Sequence, residues 1–221
     1  MTRVLQAERK APQSGEARSA VVFLHGYGAN GADLMSLADP MAEHLPDTLF
    51  VAPDAPESLP DMPSGLQWFP IPWIDGSSEE EAERGLLAAA ADLDAFLDAL
   101  MVDEDLLPEQ VVLFGFSQGT MMALHVAPRR EDEVAGIVGF SGRVLRPDLL
   151  ADEVQSRPPV LLVHGDADDV VPAQSMPEAA EALQEAGWKD VYAHVMKGTG
   201  HGIDPDGLSV ALAFMRDKLG L

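Results

Sequence analysis

The sequence contains no cysteine among its 221 residues. This absence excludes disulfide bridges, thiolate metal sites and a cysteine nucleophile. No apolar run approaches the roughly 20 residues that a bilayer-spanning helix needs, so stable membrane insertion is not expected. The first ten residues are polar and charged, without the apolar core of a signal peptide. A cytoplasmic location is therefore expected.

Basic residues are scarce, with 14 Lys and Arg against 37 Asp and Glu and a formal net charge of −23. A surface of this sign repels nucleic acid and anionic membranes, so neither is expected as a partner. Acidic stretches such as 79–83 and 103–105 are typical of solvated surface. Salt adaptation and the binding of cationic partners are two further interpretations of the same excess.

The chain does contain short apolar runs that alternate with helical patterns. The runs that predict strands lie at 21–24, 49–51, 111–116, 134–140, 159–164 and 191–195. Helical patterns lie at 32–44, 78–101, 120–126, 178–186 and 208–219. The alternation predicts an α/β fold, with a mainly parallel central sheet and helices on both faces. We expect a single domain over 1–221, with an added edge strand at 2–6.

One predicted strand runs directly into Gly115-Phe116-Ser117-Gln118-Gly119, and a helical segment follows at once. A strand, a sharp turn with serine at its apex and a helix form a nucleophile elbow. The pattern needs glycine at its first and last positions because the strained turn brings neighbouring backbone too close for a Cβ. The pattern predicts that Ser117 is the nucleophile of an acyl-transfer reaction.

A serine nucleophile needs a histidine base and an acid that orients the histidine. In elbow-containing folds the acid and then the histidine follow the serine along the chain. His201 lies among glycines after the last predicted strand and is the expected base. The acid is expected in the segment 163–172, after another strand. Spacing alone leaves Asp166 and Asp168 as candidates, and Asp166 could instead brace the turn.

The oxyanion of the tetrahedral intermediate needs two N–H donors. One is expected from the backbone of Gln118, and the other from Tyr27 in the turn His25-Gly26-Tyr27-Gly28. Taken alone, this turn is also compatible with an ordinary glycine-rich turn. No phosphate-binding glycine pattern and no metal-type spacing of histidines and acids occurs in the sequence. No cofactor and no metal are therefore expected.

Segment 53–78 is rich in proline, glycine and aromatic residues, has no clear period and is predicted to be a long loop. Its stretch from Trp68 to Ile74 is unusually apolar for a loop. Either this stretch packs on the core, or it forms a lid and the wall of an acyl pocket. In the second case Trp68, Phe69 and Trp73 are expected to bind the substrate.

These motifs resemble those of the phospholipase/carboxylesterase family of α/β-hydrolases, which includes acyl-protein thioesterases and small bacterial carboxylesterases. The resemblance covers most of the chain and is carried by Leu24-His25-Gly26-Tyr27-Gly28, Pro53-Asp54-Ala55-Pro56, Gln67-Trp68-Phe69, Gly115-Phe116-Ser117-Gln118-Gly119, Phe140-Ser141-Gly142, 164–172 and Gly200-His201. It implies an α/β-hydrolase fold without a cofactor. It also implies Asp168 as the catalytic acid and Tyr27 and Gln118 as the oxyanion donors.

The sequence departs from this family pattern after Phe69. Acyl-protein thioesterases typically continue with Asp, whereas here Pro70 follows, which looks more like bacterial esterases. The predicted function is a serine carboxylesterase that hydrolyses short- to medium-chain carboxylic esters through an acyl-enzyme. An acyl-protein thioesterase or lysophospholipase on the same triad is the alternative, and a non-catalytic binding protein of this fold is a remote one. The expected partner is a small-molecule ester, and the choice between monomer and homodimer stays open.

Overall fold

The computed structural model describes residues 2–221, and the element counts that follow refer to this part of the chain. The nine strands are β1 Ala7–Lys10, β2 Ser19–Leu24, β3 Thr48–Pro53, β4 Glu57–Leu59, β5 Met62–Gln67, β6 Val111–Phe116, β7 Gly136–Phe140, β8 Val160–Gly165 and β9 Val191–Met196. The eight α-helices are α1 Gly31–Met35, α2 Ala38–Ala42, α3 Pro72–Asp75, α4 Glu79–Asp103, α5 Gln118–Val126, α6 Pro147–Glu153, α7 Ser175–Glu185 and α8 Pro205–Lys218.

Seven strands form one sheet in the order β1-β3-β2-β6-β7-β8-β9. β1 runs antiparallel to β3, and every other neighbouring pair in this sheet is parallel. The mainly parallel sheet predicted from the sequence is confirmed. The edge strand lies at Ala7–Lys10 rather than at 2–6. Its sequence, Ala-Glu-Arg-Lys, carries the charges that protect an exposed edge, so it has no apolar signal.

The central strands are buried on both faces because helices cover the sheet on each side. In β2, Val22 and Leu24 belong to one core cluster, while Val21 and Phe23 belong to the other. The first cluster includes buried residues of α4, α5 and α7. The second includes residues of α2 and α8. This two-sided burial explains why the sequences of these strands are continuously apolar and do not alternate between apolar and polar residues.

Segment 53–78 is not the long loop that its composition predicts. β4 and β5 form an antiparallel hairpin, and α3 follows it. The hairpin is tied to the turn after β2, where the Gly28 N–H donates to the Leu66 carbonyl at 2.8 Å and the Leu66 N–H donates to the Ala29 carbonyl at 2.9 Å. Because these partners lie far apart in sequence, the local composition gives no sign of the pairing.

Helix boundaries agree with the sequence patterns in some places and not in others. α4 begins where expected, with the Ser78 hydroxyl accepting from the Glu81 N–H in a capping box. The single helix predicted at 32–44 is instead the two short helices α1 and α2. None of the helices within residues 2–221 combines the length and the apolar character needed to cross a membrane.

Candidate active site

The serine elbow lies at the carboxyl end of β6, in the middle of the sheet. Ser117 has φ 55° and ψ −115°, a conformation that non-glycine residues rarely adopt. The turn is fixed by backbone contacts, since the Ser117 N–H donates to the Phe140 carbonyl at 2.8 Å. At Gly119 an added Cβ would lie 1.8 Å from the Leu24 carbonyl oxygen. Only glycine therefore allows α5 to start so close to β2.

The turn after β2 lies directly against the serine. A Cβ added to Gly26 would stand 3.3 Å from the Ser117 Cβ, which measures how closely the two turns approach. The backbone N–H groups of Tyr27 and Gln118 donate no hydrogen bond to another residue within 2–221. Gln118 is the first residue of α5, where an N–H has no intrahelical acceptor. The structure thus brings two unused donors next to the serine.

An acid and a histidine meet at the carboxyl ends of β8 and β9. His201 Nδ1 lies 2.8 Å from Asp168 Oδ2. Asp168 Oδ1 accepts from the N–H groups of Val170 at 3.0 Å and Val171 at 2.9 Å. Burial alone would raise the pKa of this carboxyl, but the bonds from His201 and the two amides outweigh it and hold the pKa below its ordinary value. Asp168 is therefore ionised at neutral pH and fixes the orientation of the imidazole.

A second imidazole supports the same carboxylate. His164, at the end of β8, is buried, and its Nε2 lies 2.8 Å from the Val171 carbonyl and 3.3 Å from Asp168 Oδ2. The Val171 carbonyl is the hydrogen-bond partner of Nε2, and the carboxylate of Asp168 lies beside it. His164 thus packs against the turn that holds Asp168.

The loop that carries Asp168 and the loop that carries His201 are joined by one backbone–backbone bond and one backbone–side-chain bond. The Ala167 N–H donates to the Thr199 carbonyl at 3.0 Å, and the Gly198 N–H donates to Asp166 Oδ1 at 2.6 Å. Of the two acids that spacing left open, Asp166 braces the histidine loop and Asp168 contacts the imidazole.

His201 stands beside the elbow without being bonded to the serine. Its ring centroid lies 4.9 Å from that of Phe116, the residue before Ser117. Within residues 2–221 no hydrogen bond joins the Ser117 hydroxyl to His201. Nucleophile–base contacts are often long in the absence of substrate and shorten in the reacting complex.

The Gln118 side chain has a role that the sequence patterns do not indicate. Its Oε1 accepts from the Trp68 N–H at 2.9 Å, and its Nε2 donates to the Phe69 carbonyl at 2.8 Å. Gln118 of the elbow therefore also holds segment 53–78 in place. The side chain is fully buried, so both bonds are shielded from water.

Trp68 was expected to bind the substrate, but its side chain lines neither of the grooves described below. Its side chain is completely buried, and its indole N–H donates to the His25 carbonyl at 3.0 Å. His25 Nδ1 lies 2.8 Å from the Gly26 carbonyl, and its Nε2 accepts from the Ala55 N–H at 3.0 Å. Burial lowers the pKa of His25, which favours a neutral ring. The ring stabilises the turn through its contacts with Gly26 and Ala55.

Phe69 and Trp73 line an apolar groove of about 620 Å³ between α4, α7 and the loop after β7. Its other walls include Ile71, Val144 and Leu145. We call it the apolar groove. The Trp73 side chain is exposed at its edge, under the guanidinium of Arg143 at 4.6 Å from the ring centroid.

A second groove of about 1090 Å³ lies on the other side of the same segment, between the β4–β5 hairpin and the start of α4. We call it the acidic groove because four carboxylates line it, from Glu57, Asp61, Asp75 and Glu81. Tyr27 is also part of its wall. The side chains of Ser117, Asp168 and His201 line neither groove. No group of three or more acidic or histidine side chains within residues 2–221 is arranged to hold a metal ion.

Comparison with known proteins gives one consistent result. The model of the phospholipase/carboxylesterase family matches residues 7–219. Acyl-protein thioesterase 1 of Saccharomyces cerevisiae is 29% identical over 96% of this chain and 97% of its own length. Acyl-protein thioesterase 1 of Gibberella zeae is 28% identical over 94% of each chain.

Solved structures show the same relationship. The crystal structure of esterase PE8 is 41% identical, with a TM-score of 0.92 over 98% of this chain and 100% of that one. Acyl-protein thioesterase 2 of Zea mays is 25% identical, with a TM-score of 0.78 over 97% and 99% of the two chains.

Proposed function

Because the chain belongs to the phospholipase/carboxylesterase family of hydrolases, we propose that it is a serine carboxylesterase of short- to medium-chain esters with Ser117, His201 and Asp168 as its triad. The observation that carries this proposal is the 2.8 Å contact between His201 and Asp168, which lies at the carboxyl ends of the parallel strands, as does the strained Ser117 turn. Residues 2–221 would act as one catalytic domain. The 41% identity to esterase PE8 supports ester hydrolysis over the other activities of the family.

The proposed reaction has two stages. Ser117 Oγ attacks the acyl carbon while His201 Nε2 takes the hydroxyl proton, and Asp168 stabilises the resulting imidazolium. The N–H groups of Tyr27 and Gln118 bind the oxyanion. The C–O bond to the alcohol then breaks, and His201 returns the proton to the leaving alcohol. Water, deprotonated by His201, attacks the acyl-enzyme, releases the acid and restores Ser117.

Thioester hydrolysis is a second candidate, favoured by the names of two relatives that match nearly the whole chain. The mechanism is the same, with a thiol as the leaving group. The apolar groove suits an acyl chain in either case. Pro70, which follows Trp68-Phe69, is the feature that separates this chain from the thioesterase pattern.

Loss of the serine hydroxyl tests the triad. We expect Ser117→Ala to lower kcat/KM for p-nitrophenyl butyrate by about 10⁴-fold or more, with the thermal transition unchanged. Wild-type protein should also react covalently with a fluorophosphonate probe at Ser117. Full activity in the variant would refute the triad, and an inert wild-type protein would favour a non-catalytic binding role.

A chain-length series of p-nitrophenyl esters, measured beside a matched acyl thioester and a lysophospholipid, tests the substrate class. We expect the highest kcat/KM for acyl chains of about four to eight carbons, since the apolar groove is finite. A thioester preferred over the oxygen ester of equal length, after correction for intrinsic reactivity, would favour the thioesterase candidate.

A further inference from the structure

The turn that carries the Tyr27 N–H contains a peptide unit with little local restraint. Gly26 lies against the elbow, where an added Cβ would be 3.3 Å from the Ser117 Cβ and 3.2 Å from Phe116 Cδ1. This close approach favours glycine, and glycine has more backbone freedom than any other residue. The peptide between Gly26 and Tyr27 therefore needs a further restraint if the Tyr27 N–H is to keep one direction.

The carbonyl of this peptide is held by two donors. His25 Nδ1 lies 2.8 Å from the Gly26 carbonyl oxygen, and the Ala29 N–H donates to the same oxygen at 3.2 Å. The peptide is trans, and in a planar trans peptide the N–H points in the direction opposite to the C=O. Fixing the Gly26 oxygen against His25 therefore fixes the Tyr27 N–H on the opposite side, where it has no acceptor within residues 2–221.

The imidazole of His25 can act in this way in one tautomer only. Its Nε2 accepts from the Ala55 N–H at 3.0 Å, so the proton of the neutral ring lies on Nδ1, which donates to the Gly26 carbonyl. The His25 side chain is fully buried, which shields both bonds from water. The neutral ring with its proton on Nδ1 is thus the form in which both nitrogens have a partner.

The peptide units on either side are held as well. The Trp68 indole N–H donates to the His25 carbonyl at 3.0 Å, and the Gly28 N–H donates to the Leu66 carbonyl at 2.8 Å. Three successive peptide units of the turn are therefore restrained. At the unit that carries the Tyr27 N–H, the only side chain that supplies a restraint within the described residues is that of His25.

We propose that His25 is a positioning residue of the oxyanion site, and that its Nδ1–H directs the Tyr27 N–H by holding the Gly26 carbonyl. The inference rests on the proposed function, in which the N–H groups of Tyr27 and Gln118 bind the oxyanion. His25 itself exchanges no proton during the reaction. It keeps one peptide in a fixed orientation, so that the donor does not have to reorient as negative charge develops on the substrate oxygen.

Two amide side chains at position 25 separate the two bonds of the ring. In His25→Asn the amide nitrogen can take the place of Nδ1, which keeps the donor to Gly26 and removes the acceptor for Ala55. In His25→Gln the longer amide can place its oxygen near Nε2, which keeps the acceptor for Ala55 and removes the donor to Gly26. Both variants lose the ring, so the comparison between them cancels most of the effect of its removal on packing.

The kinetic outcome should differ between the two variants. We expect kcat for p-nitrophenyl butyrate to fall about 10- to 100-fold in His25→Gln with KM little changed, since an interaction made mainly in the transition state is weakened. His25→Asn should recover most of this loss. Equal kcat values in the two folded variants would show that His25 only supports the fold and would overturn the proposal.

A thionoester shows whether the loss arises at the oxyanion. O-(4-nitrophenyl) thionobutyrate carries sulfur in place of the carbonyl oxygen, and sulfur is a weak hydrogen-bond acceptor. Each kcat/KM is divided by the rate constant of alkaline hydrolysis of the same substrate. We expect the corrected preference for the oxygen ester to fall about 5- to 30-fold in His25→Gln and much less in His25→Asn. An unchanged preference in His25→Gln would overturn the proposal.

Measurements on the wild-type protein decide the matter even if a variant does not fold. Two-bond ¹H–¹⁵N spectra of the histidine-labelled protein should show a neutral His25 with its proton on Nδ1. The chain has only two tyrosines, Tyr27 and Tyr192, so ¹⁵N-tyrosine labelling gives two backbone amide signals. A trifluoromethyl ketone with a propyl chain, which forms a tetrahedral adduct with an active serine, should shift the Tyr27 signal and leave that of Tyr192 in place.

A proton on Nε2 of His25, or an unmoved Tyr27 signal in the presence of the adduct, would overturn the proposal. The esterase function is tested apart from it, by hydrolysis of p-nitrophenyl butyrate that is lost in Ser117→Ala. Failure of that hydrolysis would refute the proposed function. Its presence beside a normal kcat in His25→Gln would refute the role of His25 alone.

Discussion

The elbow around Ser117 is held by backbone packed against backbone, whereas segment 53–78 is held to the same site by side-chain bonds of Gln118 and Trp68 as well as by the backbone bonds of Leu66. At the elbow, Gly119 leaves no room for a Cβ against the Leu24 carbonyl. Segment 53–78 depends on the amide of Gln118 and the indole of Trp68, and its tip at Trp73 is exposed. The proposed nucleophile is thus tied to the sheet, while the exposed part of segment 53–78 is less constrained.

The largest effect should come from filling the contact at the elbow. We expect Gly119→Ala to cost more than about 4 kcal/mol of unfolding free energy, because the new methyl group would overlap a main-chain oxygen that cannot move away. Gly202→Ala is the matched control, since a Cβ there meets no atom within 4 Å. Denaturant unfolding of both variants measures the difference. Similar stability in the two would show that the elbow is more plastic than its packing indicates.

Removing the charge of Asp168 should lower activity much more than stability. We expect Asp168→Asn to lower kcat/KM about 10³- to 10⁴-fold, since the neutral amide neither fixes the imidazole tautomer nor supports the imidazolium. Asp166→Asn should lose far less, because Asp166 contacts the Gly198 N–H and not the imidazole. Steady-state kinetics on p-nitrophenyl butyrate tests both, and equal losses would contradict the assignment of Asp168.

The same variant has a pH signature. The pKa of Asp168 is lowered in the folded protein, so its ionised form stabilises the fold above the unfolded-state pKa of about 3.9, and this contribution is lost as pH falls through the lower folded value. The stability gap between wild type and Asp168→Asn should therefore narrow below about pH 4. Trp68→Phe removes an uncharged hydrogen bond, so its gap should not change with pH. Denaturant midpoints of the three proteins, measured from pH 7 to pH 3, provide the comparison.

The side-chain link between the two regions should have an intermediate effect. Gln118→Met keeps the size of the side chain but leaves the Trp68 N–H and the Phe69 carbonyl without partners. We expect a loss of about 2–4 kcal/mol in stability, together with a shift in the acyl-chain preference. If chain-length preference stays fixed while stability falls, Gln118 supports the fold but does not position the apolar groove.

The smallest effect should come from the exposed tip. We expect Trp73→Ala to lower stability by no more than about 1 kcal/mol, because its side chain is mostly in solvent. It also removes the stack with Arg143, which is worth only about 0.5–1 kcal/mol at an exposed site. The readout is the ratio of kcat/KM for octanoate and acetate esters, expected to change about two- to five-fold. An unchanged ratio would exclude Trp73 from the acyl wall.

The contrast between the regions also explains what could be predicted from the sequence. The mainly parallel sheet and the order of Ser117, Asp168 and His201 follow from local patterns, because each residue lies just after an apolar strand. The choice of Asp168 over Asp166 needed the family resemblance, since both acids follow β8 closely.

Segment 53–78 could not be predicted in the same way. Its hairpin depends on pairing between Leu66 and the distant turn at Gly28 and Ala29. Trp68 looks like a pocket residue by composition, and only tertiary packing shows that its indole bonds to the His25 carbonyl. The side-chain role of Gln118 likewise depends on a partner about fifty residues earlier in the chain.

The backbone angles of Ser117 set catalysis against stability. At φ 55° and ψ −115° a serine side chain is strained, at a cost of about 1–3 kcal/mol, and Ser117→Ala keeps that strain. Ser117→Gly would relieve it, and after the greater chain entropy of an unfolded glycine the net gain should be about 1 kcal/mol. The Ser117→Gly variant, which lacks the hydroxyl, should then unfold at a higher temperature than the wild-type protein. Selection for thermal stability alone would favour glycine at this position, whereas the proposed reaction requires the serine hydroxyl.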